Sequence, residues 1–201
     1  MPRAADREKR QHLLDRTVDY VYEHGIANLS LRPLAKALGV SAAILLYHFT
    51  SKDQLVVEVL AWAGERQRAH FGQLRDDEEL TSAQVCGAVW KAISDPHAQP
   101  LFRLFFEVYG LALQDPDRFP GFFPGAVANW LAFLERPALR DGASKADARK
   151  RATIMLAGFR GFLLDLCATR ERKRIDGAVD AWIASLEHIP MSAPARTRGR
   201  E

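Results

Sequence analysis

Tyr47, His48 and Lys52 lie close together in the stretch Leu46-Tyr-His-Phe-Thr-Ser-Lys52, and each can donate a hydrogen bond to a phosphate oxygen. Ser30, Arg32 and Ser41 extend the set upstream, where helix N-termini would add outward-facing backbone N–H groups. From His24 through Lys52 there is no Asp or Glu, while Arg32, Lys36 and Lys52 are present. Surface helices usually mix both signs. An acid-free surface avoids repelling phosphates, and each basic contact releases counterions. The chemistry these residues offer is the binding of a polyanion.

The elements that must position them are two short helices around a tight turn, between Leu31 and Lys52. Ser30 is a candidate hydroxyl N-cap, and Pro33 falls in the first turn, where a missing N–H does little harm. Leu31, Leu34, Ala35 and Leu38 repeat at helical spacing. Gly39 supplies a left-handed stop, Val40 returns to the core and Ser41 caps the next helix. This is the pattern of a helix-turn-helix, whose second helix enters the DNA major groove. On a helical wheel Leu45, Phe49 and Ala42 face the core. Ala43, Ile44 and Tyr47 point outward, with Leu46 and His48 at the margins. An outward Ile, like Ala, can touch a thymine methyl. The competing reading is a small helical hairpin that lacks acids, with Tyr47 and His48 as half-buried packing residues.

Helical periodicity runs through the rest of the chain, and strand signals are nearly absent. A first helix is expected from Asp6 to His24, ended by Gly25, and a fourth from Lys52 to Leu74. Further helices are expected over Ser82–Ser94, Leu101–Leu113, Ala126–Glu135, Lys145–Thr169 and Ile175–His188, roughly nine in all. Arg75 to Glu79 reads as a charged break. Asp115 to Gly125 reads as a loop whose aromatics pack down, and Arg140 to Asp147 as a polar connection. The fold class is therefore all-α. The expected organisation is a three-helix DNA-binding domain over residues 1–50, a helical regulatory and dimerisation bundle over 51–189, and a disordered tail over 190–201.

In the larger domain, Phe102, Phe105, Phe106 and Tyr109 share a helix face, followed by Trp130, Phe133, Phe159 and Phe162. Of these, Phe102, Phe106, Tyr109, Trp130, Phe159 and Phe162 are the candidate lining of an apolar ligand pocket. The alternative for any one of them is a filled core. Ala152 to Cys167 is apolar almost all round, and Gly158 and Gly161 would let another helix approach closely. The last helix carries one stripe: Ile175, Ala178, Val179, Trp182, Ile183 and Leu186. Paired with their copies, these two helices would form a four-helix homodimer interface. A monomer that wraps them internally is the other option.

The chain has 201 residues, 48% hydrophobic and 26% charged, with a net charge of +3. Its two cysteines, Cys86 and Cys167, suggest neither a disulfide framework nor a metal cluster. No signal peptide and no membrane-spanning run is recognised, so a cytoplasmic protein without a membrane partner is expected. The six histidines form no metal-ligand pair, and no nucleophile elbow, Walker loop or dinucleotide fingerprint is present. No metal, cofactor or catalytic residue is assigned.

The segment from Gly25 to Leu55 resembles the N-terminal domain of the tetracycline-repressor (TetR) family of bacterial transcription regulators. The resemblance rests on Gly25, Ser30-Leu31-Arg32, Leu34-Ala35, Gly39-Val40-Ser41, Leu45, Tyr47-His48-Phe49 and Ser51-Lys52. It implies an all-helical homodimer, a double-stranded operator of two related half-sites and a small-molecule effector bound in the larger domain. By position it implies that Tyr47, His48 and Lys52 contact phosphates. The family often has polar or glycine residues at 42 and 43, Thr or Ser at 44 and an aromatic at 46. Here Ala42, Ala43, Ile44 and Leu46 shift readout towards apolar contacts, Arg32 and DNA shape. The reading is a ligand-responsive repressor whose fourth helix links pocket to DNA. The alternative is a helical small-molecule-binding protein or enzyme whose hairpin only packs.

Overall fold

A computed structural model describes residues 4–24, 30–77, 80–140, 142–186 and 188. Among them are nine α-helices and no strand: α1 (Ala4–His24), α2 (Leu31–Leu38), α3 (Ala42–Phe49), α4 (Lys52–Asp76), α5 (Ser82–Ile93), α6 (Gln99–Gln114), α7 (Asn129–Arg140), α8 (Lys145–Thr169) and α9 (Arg172–Leu186). Gly25 and the tail from residue 190 lie outside the described residues, as do positions 78 and 79 of the expected charged break. Arg75 and Asp76 of that break continue α4.

Two compact units divide the chain. One comprises Met1–Ala69 and Ala92–Ala126, the other His70–Lys91 and Val127–Glu201. The boundary expected after residue 50 thus falls inside the first unit. The reason is the first part of α4, which buries Leu55, Val56, Val59 and Ala63. Polar pins hold it to α1: Trp62 Nε1 donates to Asp15 at 2.6 Å and Arg66 to Asp19 at 3.3 Å. α1 also packs on α2 and α6. Its inner stripe of Leu13, Leu14, Val18 and Val21 is buried, and Thr17 hides its hydroxyl by donating to the Leu13 carbonyl at 2.7 Å.

After α6 the Pro-rich segment is more ordered than a loop. Pro116–Arg118 forms a 3₁₀ turn, and Phe119 and Phe122 are buried. Pro124–Ala128 winds as a π turn into α7, so the helix expected from Ala126 begins at Asn129. It also runs past its expected end, with Pro137 inside it. Proline removes one backbone hydrogen bond there but leaves the apolar face intact.

In the second unit α8 packs between α7 and α9. Ser144 caps α8 by accepting from the Asp147 N–H at 3.1 Å, and Arg149 of α8 donates to Glu135 of α7 at 2.6 Å. Trp90 of α5 donates to Asp176 of α9 at 2.8 Å. The stripe on α9 meets its own chain: Ile175, Val179, Ile183 and Leu186 are buried, and Trp182 packs edge-on against Phe159. Its indole lies over Gly158, where an added Cβ would stand inside the ring's van der Waals surface. Gly161, one turn on, is exposed with open space around it. α8 also corrects an expectation, since its length and composition would let it cross a bilayer. Only 28% of its apolar window is buried within the chain, because α7 and α9 leave one face open.

Gly158→Ala is expected to lower unfolding stability by about 1–3 kcal/mol through overpacking against Trp182. Gly110→Ala, at an exposed α6 position with nothing within 4 Å, is expected to raise it by about 0.5–1 kcal/mol. Denaturant unfolding with an unchanged slope is the measurement.

Candidate nucleic-acid interface

Gly39 closes α2 with φ 70° and ψ 29°. Its N–H donates to the Lys36 carbonyl at 3.2 Å, and that of Val40 to the Ala35 carbonyl at 2.9 Å. This paired return is a Schellman motif, and it needs the left-handed residue that glycine supplies without strain. Ser41 then caps α3, its Oγ accepting from the Ile44 N–H at 3.3 Å. Ser30 occupies the N-cap position of α2, but its side chain makes no capping hydrogen bond, contrary to expectation. Its hydroxyl is left on the exposed surface.

Both helices are only eight residues long and end in carbonyls without helical partners. Two arginines of α1 reach them. Arg16 donates from Nη1 to the Leu38 carbonyl at 2.7 Å and from Nη2 to that of Ala37 at 3.1 Å. Arg10 donates from Nε to the His48 carbonyl at 3.2 Å, pairs with Glu58 of α4 and lies 4.9 Å over the Phe49 ring. Positive charge at a helix C-terminus also opposes the helix dipole. Sequence reading missed both residues. A basic pair on α1 was visible, but periodicity does not say which carbonyls it meets.

With its back fixed by buried Leu45 and Phe49, α3 turns the other edge to solvent. Tyr47 is 74% exposed and Leu46 42% exposed. Ala43 is exposed and Ile44 half-buried, so neither Ile44 nor Tyr47 is sealed in the interior. Arg32, Lys36, Ser41 and Lys52 are exposed. His48 departs from its expected role, because only 3% of its side chain is exposed. Its Nδ1 lies 4.0 Å from an Asp6 oxygen, and its ring packs edge-on against Tyr47 at 5.0 Å. From the wheel margin the imidazole turns towards α1, where it supports Tyr47 from behind.

The step from α3 to α4 is tight. Thr50 has φ 62° and ψ −48°, and the Ser51 N–H donates to the Phe49 carbonyl at 2.6 Å, a γ-turn. A β-branched residue at positive φ is strained, so its neighbours must hold it. Ser51 caps α4 by accepting from the Gln54 N–H at 3.0 Å, which leaves Lys52 on the first exposed turn. The next residue, Asp53, is the first acid after the basic stretch. Arg118 neutralises it, with Nε 2.8 Å from one carboxylate oxygen.

The second unit holds a groove of about 60 Å³ between α5, α7 and α8. Of the six aromatics expected to line a pocket, Phe159 lines it. Phe162 packs instead on Trp90 and Trp182, and Trp130 on Phe133. In the first unit Tyr109 packs edge-on against Phe122 and Phe123 and tilted against Phe105, Phe106 packs on Phe105, and Phe102 is half-buried. Aromatic content marked apolar faces but not which helices close on one another.

Residues 13–59, which run from the second half of α1 through α2 and α3 to the first turns of α4, match the family model described as bacterial regulatory proteins, tetR family. Over 198 residues, 93% of this chain and 83% of the relative, the sequence is 26% identical to the HTH-type transcriptional regulator BetI of Rhizobium meliloti (strain 1021). The fold is similar to a transcriptional regulator from Rhodococcus sp. Rha1, with a TM-score of 0.68 at 18% identity, covering 89% of this chain and 96% of that one. It is also similar to the multidrug binding protein EbrR, solved in complex with imidazole, with a TM-score of 0.65 at 23% identity and coverage of 97% and 96%. Residues 13–59 thus carry the DNA-binding domain of the tetR family of bacterial regulatory proteins, and the chain resembles helical transcriptional regulators of that kind along nearly its whole length.

Proposed function

We propose that the protein is a cytoplasmic, non-enzymatic repressor that binds its operator as a homodimer and is released by a small, largely apolar effector. The observation that carries the DNA reading is Tyr47, 74% exposed on a helix that belongs to a sequence stretch, His24 to Lys52, without Asp or Glu. In this reading Ala43 and Ile44 meet thymine methyls in the major groove. Tyr47, Lys52 and Arg32 bind phosphates, with Ser30 and Ser41 adding hydroxyl contacts at the helix N-termini. His48 acts indirectly, as the packing behind Tyr47.

Dimerisation is supported by the open face of α8. Ala157, Gly161, Leu164 and Ala168 are exposed at helical spacing, and Leu164 is 50% exposed. On α9 Gly177, Ala181 and Ala184 are exposed in the same fashion. Small residues let a second copy approach closely, and burial of this face in a dimer, rather than in lipid, accounts for the apolar character of α8. Two-fold pairing would set two recognition helices ~34–36 Å apart, one turn of DNA. An effector that binds better to a protomer arrangement with another spacing shifts the population off the operator. The ligand bound to EbrR supports effector binding by analogy of fold only.

A gel-shift titration with the upstream promoter fragment tests the DNA reading. If Arg32 and Lys52 of both protomers each displace one counterion, about a fourfold rise in salt weakens binding on the order of a hundredfold. Tyr47→Ala, which removes one charge-assisted hydrogen bond from each protomer, is expected to weaken binding on the order of a hundredfold, with an unchanged melting temperature. Absence of binding to any promoter fragment, or an unchanged affinity in the variant, contradicts the assignment. Leu164→Glu is expected to sediment as a folded monomer and to lose operator binding; a stable dimer would place the interface elsewhere.

A further inference from the structure

The sequence Arg149-Lys150-Arg151 puts three cations in a row on α8, and their surroundings differ. Arg149 pairs with Glu135 at 2.6 Å and Lys150 with Asp147 at 3.3 Å. Arg151 is half-buried and, among the described residues, pairs with no carboxylate. It borders the groove between α5, α7 and α8, whose apolar wall includes Cys86, Phe133, Met155 and Phe159. A second guanidinium, Arg140, borders the same groove. Arg151 acts electrostatically on the Cys86 thiol across the groove, and burial pushes the pKa of that thiol up to about 11. At neutral pH that thiol is uncharged and offers Arg151 no counter-ion. A guanidinium partly withdrawn from water beside an apolar wall gains most from a carboxylate, which its planar fork binds through two parallel hydrogen bonds.

We infer that this groove binds a small apolar carboxylate, with its head group on Arg151 and its hydrocarbon tail between α5, α7 and α8. The inference rests on the ligand-responsive reading above and names the ligand class. At about 60 Å³ the groove is smaller than the ~150 Å³ cavity that accepts benzene, so the tail must widen it. Met155, unbranched and adaptable, is the wall residue best able to yield. A ligand that parts these helices has the differential affinity an effector requires.

Octanoate is the probe, with 1-octanol and octylammonium as neutral and cationic partners of equal tail length. Calorimetric titration of the full chain without DNA is expected to show octanoate binding at least tenfold tighter than octanol, and no binding of octylammonium. Arg151→Gln should bring octanoate down to the octanol affinity while leaving octanol unchanged. Arg151→Lys should restore part of the preference. Equal binding of octanoate and octanol by the native protein, no binding of octanoate, or full octanoate affinity in a folded Arg151→Gln variant overturns the inference. Operator binding is measured on the same samples without ligand. Its loss defeats the regulator reading alone, whereas intact operator binding without octanoate binding defeats the groove alone.

Discussion

The exposed edge of α3 depends on a problem of short helices. Eight residues form too few hydrogen bonds to hold a helix in water, and nearly half of their carbonyls lie at an open end. Here both ends are closed by side chains of one long helix. Arg16 takes the end of α2 and Arg10 the end of α3, while Leu34, Leu38, Leu45 and Phe49 supply the buried contacts. Because the clamps attach to backbone, they leave the outward side chains of α3 free of structural duty. Residues such as Ala43, Ile44 and Tyr47 can then differ from those of relatives without loss of the fold.

Charge follows the same division of labour. The acids that hold the unit together, Asp15, Asp19 and Glu58, pair with Trp62, Arg66 and Arg10 between α1 and α4. The exposed side keeps Arg32, Lys36 and Lys52, and the first acid beyond them is neutralised by Arg118. That arrangement leaves a positive, partly apolar strip suited to phosphates at its rim and to base edges at its centre.

Local signals were legible where one residue type answers one backbone need. Gly39 had to be left-handed, Ser41 had to cap, and the apolar period of α2 named its buried side. Long-range choices were not legible. The rotamer that turns His48 inward brings its ring to Asp6 of α1, and the spacing within α3 carries no trace of that partner. Ser30 looked like a capping hydroxyl, yet its backbone alone fills the role. Pro137 reads as a stop but lies inside α7, since tertiary packing outweighs one lost hydrogen bond. The α9 stripe was clear, but whether it met a copy or its own α8 turned on Trp182 settling over Gly158. Aromatic residues foretold apolar faces, and the groove formed around Cys86, Met155 and Arg151, which no periodicity singled out.

The central claim is that the outer edge of α3 lies against base pairs. It is tested most directly by replacing Tyr47 with a photo-crosslinking phenylalanine and mapping the adducts on bound promoter DNA. The expected result is two adduct clusters about 34–36 Å apart along the same groove, one for each protomer. Bound DNA with no adduct from position 47, together with efficient adducts from a crosslinker on the opposite face of the unit, would contradict it.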